Sequence, residues 1–335
     1  MKRPLLIILL LVAAVLVMGI APLVGPTMIP ASAAWGDVDD DLLTGILWRM
    51  RVPRVAMAFL AGAGLALGGM AFQALFRNPL ATPFTLGVAS GASLGAAIGI
   101  QFRWTVPLLT GLGISATSLW AFGGACASIL IVYSLTLTKK RFSAATMLLA
   151  GVTVSFFFSS VILFMQYITD PSRTVRMIRW TMGGLSNVSW TDAVGAAPFV
   201  VAATLIILCL TRELDLLTVG EELAISCGVE VDRVKKWIFF AVSMMVAGVV
   251  TVAGPVAFVG LIVPHACRLI IGPGHRWLAP ASLLGGGIFL VLCDTAARSV
   301  LSTIESPAEL PVGIITALLG GPFFLWLLLT DKAEV

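Results

Sequence analysis

The feature that most constrains this chain is a succession of apolar runs, nearly free of charge, each close to the length that crosses a bilayer. A membrane-spanning helix needs roughly 17–25 predominantly apolar residues. About ten segments meet or approach that length: 4–24, 52–76, 82–100, 106–135, 144–168, 193–211, 236–254, 256–270, 278–298 and 312–330. The chain is 59% hydrophobic and only 11% charged, whereas a soluble domain is about a quarter charged. Lipid admits only helices or closed barrels, because every backbone polar group must be satisfied internally. The runs are continuous rather than alternating, which disfavours a barrel. The expectation is an all-α membrane protein with about ten transmembrane helices, forming a single domain over residues 1–335.

The start of the chain, "MKRPLLIILLLVAAVLVMGI" followed by "ASAAW", also resembles a signal peptide with a small-residue cleavage site. The apolar run is long, however, and Pro22, Pro26 and Pro30 separate it from Ala33. A retained helix is expected. Charge then sets orientation. With the N-terminus inside and the spans alternating, the inner side holds Lys2, Arg3, Arg77, Lys139, Lys140, Arg141, Arg212, Arg233, Lys235, Lys236, Arg268, Arg276 and Lys332. The outer side holds Arg49, Arg51, Arg54, Arg103, Arg173, Arg176, Arg179 and Arg298. Every lysine falls inside, so both termini are expected in the cytoplasm. The net charge of +4 is read as a topology signal, with no nucleic-acid partner.

Within the third span, Gly87, Gly91, Gly95 and Gly99 recur every four residues, and Gly64 and Gly68 repeat the spacing in the second. Small residues on one helix face let backbones approach closely in lipid, so tight helix packing is expected there. The same span contains "GASLG", a match to the serine-hydrolase pattern around Ser93. That motif needs a strand–turn–helix setting, which a membrane span lacks. Cys126, Cys209, Cys227, Cys267 and Cys293 are scattered without a C-x-x-C pair and read as small hydrophobes. His265, in "VPHACRL", has no ligand partner at metal-binding spacing and reads as a packing or hydrogen-bonding residue.

Many spans and few extramembrane residues suggest transport. No G-x-x-x-x-G-K-[ST] occurs, so this chain does not hold ATP by a P-loop. Ion-coupled carriers keep ionisable groups within the membrane. Here Asp294 is the main such residue, and Arg298 follows four positions later, the spacing of a structural ion pair. The driving energy is therefore expected from a partner outside the membrane. One polar island, "RELDLLTVGEELAISCGVEVDRVKK" over 212–236, could meet that partner. Thr218 and Glu221 match a capping box, and Gly228 matches a helix C′ residue. A short helix over about 219–227 is expected, with Leu223 and Cys227 on one side, suited to a groove on a cytoplasmic protein. A solvated loop with an incidental helix is the other reading.

Eight stretches taken together resemble the permease family of type II ABC importers for iron–siderophores, haem and cobalamin. They are "RVPR" (51–54), "FQALFRNPLATPFTLGVASGA" (72–92), "MLLAGV" (147–152), "MGGLSNVSW" (182–190), "LDLLTVGEELAISCGV" (214–229), "VAGPVAFVGLIVPHACRL" (252–269), "CDTAARSV" (293–300) and "AELPVGIITALLGGPFF" (308–324). The resemblance implies a homodimer of ten-helix permeases in the bacterial inner membrane, with one path on the dimer axis. Two copies of a cytoplasmic ATPase would bind below, and a periplasmic or lipid-anchored substrate-binding protein would dock outside. It implies that 212–236 is the loop coupling to the ATPase, with Thr218, Gly220, Glu221, Leu223 and Gly228 at its heart. It implies that Arg51, Arg54 and Arg298 pair with glutamates of the binding protein; anchoring near lipid headgroups is the other reading for Arg51 and Arg54, and the pair with Asp294 the other for Arg298. Asn78, Leu80, Ala144 and Ala145 match the cytoplasmic gate; the cobalamin permease carries hydroxyl residues where Ala144 and Ala145 stand. Thr153, Ser155, Ser159 and Ser160 would line the pathway, although such hydroxyls can equally bond their own backbone.

The resulting expectation is a non-enzymatic permease, without catalytic residues, cofactor or bound metal, that imports a bulky metal chelate by alternating access. An iron(III)–siderophore is the first choice of cargo, with haem or cobalamin as alternatives. An ion-coupled carrier using Asp294 and an intramembrane hydrolase using Ser93 are the readings from other classes.

Overall fold

The computed structural model describes residues 3–26, 29–30, 32, 41–102, 115–137, 144–300 and 309–330. Helix α1 spans Arg3–Ile20, α2 Asp41–Ile46, α3 Val52–Phe76, α4 Val88–Phe102 and α5 Ala116–Leu137. They are followed by α6 (Ala144–Ile168), α7 (Pro171–Thr181), α8 (Trp190–Cys209), α9 (Thr211–Val219) and α10 (Glu221–Ser226). The last four are α11 (Val231–Ala253), α12 (Val259–Ile271), α13 (His275–Val300) and α14 (Val312–Thr330). Among the described residues, 7 helices are long and apolar enough to cross a membrane, and three shorter apolar helices lie at 88–102, 259–271 and 312–325. This all-α architecture matches the expected fold class and its roughly ten spans.

Helix α3 is the centre of the bundle. Small residues dominate it all round, and it is buried along nearly its whole length. It packs against α13, α11, α12 and α8, while α4, α5 and α6 form a second group joined to the first through α11. The close approaches rest on glycine. A Cβ on Gly62 would strike the Gly286 carbonyl of α13, and one on Gly69 would strike Gly260 of α12. On the second group, a Cβ on Gly91 would lie 2.5 Å from the Gly124 carbonyl, and one on Gly95 would fall on the Trp120 carbonyl. The four-residue glycine spacing thus does pack α4 onto α5 as expected. Gly64 and Gly68 instead face the Met245 and Val242 side chains of α11.

Two elements departed from expectation. Helix α7 was not anticipated. It begins at Pro171 with Asp170 as cap, whose carboxylate accepts the Arg173 N–H at 3.1 Å. The Ser172 hydroxyl and that N–H hold the Asp170 carboxyl below its usual range. The Arg173 guanidinium donates to the Gln101 carbonyl at 2.8 Å, tying α7 to the end of α4. The second departure is that the polar island forms two helices, α9 and α10, rather than one over 219–227.

Inserting a side chain at a backbone contact should cost about 1–3 kcal/mol through overpacking. Gly62→Val is expected to lower the thermal midpoint of the detergent-solubilised protein. Gly123→Val, on an exposed part of α5 where a Cβ meets nothing within 4 Å, is expected to leave it unchanged. Equal midpoints for the two variants would contradict this packing.

Candidate functional site

The polar chemistry collects at the two ends of the bundle. At one end, Asp294 of α13 is completely buried, with 0% exposure. An isolated carboxylate there would be very costly, so it must be paired. Arg54 Nε donates to both Asp294 oxygens at 3.0 Å, and Arg298 Nε lies 3.2 Å from Oδ2. Arg54 Nη1 also reaches Glu309 at 2.6 Å. Arg298 donates to the Ala21 and Val24 carbonyls at 3.2 Å, and Arg51 donates to the Pro22 carbonyl at 3.2 Å. The last carbonyls of a helix are unsatisfied and carry partial negative charge; here, guanidiniums cover those just beyond α1.

The expected Asp294–Arg298 pair is therefore present, and Arg54 is a third member that the sequence reading had not joined to it. Arg51, Arg54 and Arg298, the candidate docking residues, are brought together but are buried and engaged within the chain. Glu309 is the exposed edge of the group, at 34%.

The opposite end carries Lys235. Here α9 and α10 meet at Gly220, with Leu214, Leu217 and Ala224 buried beneath them. The expected capping box does not form. Thr218 lies in the last turn of α9 and its hydroxyl donates to the Asp215 carbonyl at 2.7 Å. Glu221 turns instead to Lys235 of α11, at 2.7 Å. A buried ammonium needs a carboxylate more than a helix end needs a second cap, and Lys235 is only 4% exposed.

Gly228 does terminate α10. It sits at φ +83°, its N–H donates to the Ile225 carbonyl at 2.9 Å, and the Val229 N–H donates to Ala224 at 3.0 Å. This is the paired hydrogen-bond pattern of a Schellman motif. Asp215 ties α9 to the start of α13: its Oδ1 accepts the His275 backbone N–H at 2.9 Å and lies 2.6 Å from ring Nδ1. Val219, Leu223, Ile225 and Cys227 remain exposed.

Near the same end, Asn78 Oδ1 accepts the Leu80 N–H at 2.9 Å, and Leu80 and Ala145 are exposed. Ala144 opens α6, and its side chain lies outside the described ones. Along α6, Thr153, Ser155 and Ser160 each donate to the carbonyl four residues earlier, at 2.8–2.9 Å. Thr153, Ser159 and Ser160 are exposed, and Ser155 is half-buried. Ser93 is buried in α4 and donates to the Ala89 carbonyl at 2.9 Å, which is a helix-internal bond and not a nucleophile's setting. His265 packs edge-on against Phe323, with ring centroids 5.9 Å apart.

Removing one member of a buried ion pair strands the others and costs about 3–5 kcal/mol. Asp294→Asn should therefore lower the thermal midpoint sharply. Glu309→Gln, at the exposed edge, should cost about 1 kcal/mol or less. Similar midpoints for the two variants would remove Asp294 from its central place.

Comparison with known proteins gives a consistent result. The description of the FecCD transport family matches residues 5–330. The haemin transport system permease HmuU of Yersinia pestis is 34% identical, covering 97% of this chain and 95% of its own. The cobalamin import system permease BtuC of Halobacterium salinarum is 41% identical, covering 84% of this chain and 73% of its own. A solved inward-facing metal-chelate type ABC transporter superposes with a TM-score of 0.83 at 30% identity, covering 97% of this chain and 99% of that one. With the family match nearly end to end and the bundle shared, the chain belongs to the FecCD transport family of ABC importer permeases.

Proposed function

We propose that this chain is the membrane subunit of an ATP-driven importer that carries a bulky metal chelate inward by alternating access. The observation that carries the reading is the mounted pair α9–α10. The Asp215–His275 hydrogen bonds and the Glu221–Lys235 ion pair fix it to α13 and α11, and it presents Val219, Leu223 and Ile225 to its surroundings. Exposed apolar side chains on a preformed, braced element are what a groove on another protein engages. The partner at this end is a cytoplasmic ATPase, two copies serving two copies of this chain. The Lys235 end is then cytoplasmic, as are both termini, and the membrane is the bacterial inner membrane.

At the Arg54 end, a periplasmic or lipid-anchored binding protein docks. Since Arg54 is buried against Asp294 and Glu309, a partner carboxylate reaches the arginines by exchanging with the more exposed Glu309. Asn78, Leu80, Ala144 and Ala145 form the cytoplasmic gate. The exposed face of α6, with Thr153, Ser159 and Ser160, lines the shared path, with Ser155 beside it. No chemistry is done on the cargo. An iron(III)–siderophore is the first choice. Curated relatives are named for cobalamin, haemin, iron(III) dicitrate and molybdate, so haem and cobalamin stay as alternatives.

The test is to tag the chain in its native host, solubilise gently and identify what co-purifies. A P-loop ATPase in equal amount is expected. Leu223→Asp should lower its recovery by about tenfold or more, the scale of losing one buried apolar anchor. Absence of an ATPase even after mild crosslinking would refute the coupling role of α9–α10.

A further inference from the structure

At the Arg54 end, an open cavity of about 970 Å³ lies between the end of α4, the start of α5, α7 and the end of α11. That volume suits a small-molecule ligand. Arg176 and Arg179 line it from one face of α7, three residues apart, beside Trp180. The helix is pinned by Met177, one turn from Trp180 and 1% exposed, and its start by the Arg173–Gln101 bond. The two arginines are thereby held at the cavity wall. Neither guanidinium has a hydrogen-bond or ion-pair partner among the described residues, and both side chains are exposed.

Asp192 is the acidic side chain among the described lining residues. Its Oδ2 already accepts the Ser189 N–H at 2.9 Å and the Ser189 hydroxyl at 2.6 Å. The described lining thus presents an excess of cationic donors in a concave wall, which focuses the field on an anion. Two guanidiniums offer forked hydrogen bonds to carboxylates or other oxyanions. Trp180 adds an apolar face, and Asn187 adds an amide from the turn before α8; the Thr251 hydroxyl is committed to the Ala247 carbonyl at 2.6 Å.

We propose that this cavity is a receiving site for an anionic cargo, a metal chelate that presents carboxylates, gripped by Arg176 and Arg179. The inference rests on the importer reading above and adds to it the charge class of the cargo. A lipid phosphate shares the oxyanion chemistry and is the competing occupant.

The experiment measures equilibrium binding of radiolabelled ferric citrate, and of a neutral ferric trishydroxamate, to the purified chain in phosphatidylcholine nanodiscs. Native protein should bind ferric citrate. Arg176→Gln combined with Arg179→Gln should weaken it by about tenfold or more, the scale of losing charge-assisted hydrogen bonds. Arg176→Lys combined with Arg179→Lys, which keeps the charge but loses the fork, should bind between the two, and the neutral complex should be indifferent to all of these changes. An unchanged gel-filtration profile of the glutamine variant establishes that it is folded. No ferric citrate binding by native protein, or equal binding by the glutamine variant, overturns the proposal. Displacement of ferric citrate by added phosphatidylglycerol, in an arginine-dependent way, assigns the site to lipid and also overturns it. Binding by the permease alone needs no ATPase. Recovery of the ATPase with arginine-independent binding therefore fails only this proposal, whereas arginine-dependent binding with no ATPase fails only the importer reading.

Discussion

One carboxylate organises the Arg54 end of this protein. Asp294 has no water to turn to, so its charge is tolerable only while Arg54 and Arg298 stay beside it. That requirement fixes α3 against α13. The same arginine group holds the backbone beyond α1 through the Ala21, Pro22 and Val24 carbonyls. Glycine reinforces it further along, since Gly62 and Gly286 let the two helices meet backbone to backbone. Neither feature alone would set the register of α3 on α13. Together they leave little freedom to slide.

Helix α13 also begins at the other polar cluster. His275, its first residue, is bound by Asp215 of α9. A single 26-residue helix therefore connects the element proposed to meet an ATPase with the ion group at the far end. Its length, about 1.5 Å per residue, spans the hydrocarbon core. A partner that displaced α9 would pull on a helix whose other end is clamped by charge. Rigid transmission of this kind needs packed backbones and paired ions more than it needs flexible joints.

Much of this was legible in the sequence where the signal is local. The spans follow from run length, the α4–α5 contact from four-residue glycine spacing, the Asp294–Arg298 pair from its place within one helix, and the end of α10 from Gly228. What was hidden depends on residues far apart in the chain. Arg54 and Asp294 are 240 positions apart, and nothing local marks them as partners. The capping box at Thr218 and Glu221 failed for the same reason: Lys235, fourteen residues on, claims the carboxylate. Gly62 and Gly286 belong to different helices, and neither announces the other. Helix α7 does leave a signal, Asp170 followed by Pro171, but its polar sequence falls outside the apolar runs that mark the spans.

The hydroxyls of α6 have a consequence for anything that moves past them. Thr153, Ser155 and Ser160 have each given their proton to their own helix. Their oxygens remain weak acceptors, but no hydroxyl proton is left to offer a neighbour. Beside them stand Phe156, Phe164 and Tyr167, all widely exposed. If the cargo passes this wall as proposed, it would meet acceptor oxygens and aromatic faces, with the exposed Ser159 and Tyr167 hydroxyls as the donors left over. A wall so poor in donors would leave selection to whatever receives the solute first, and would let one path serve chelates of differing shape.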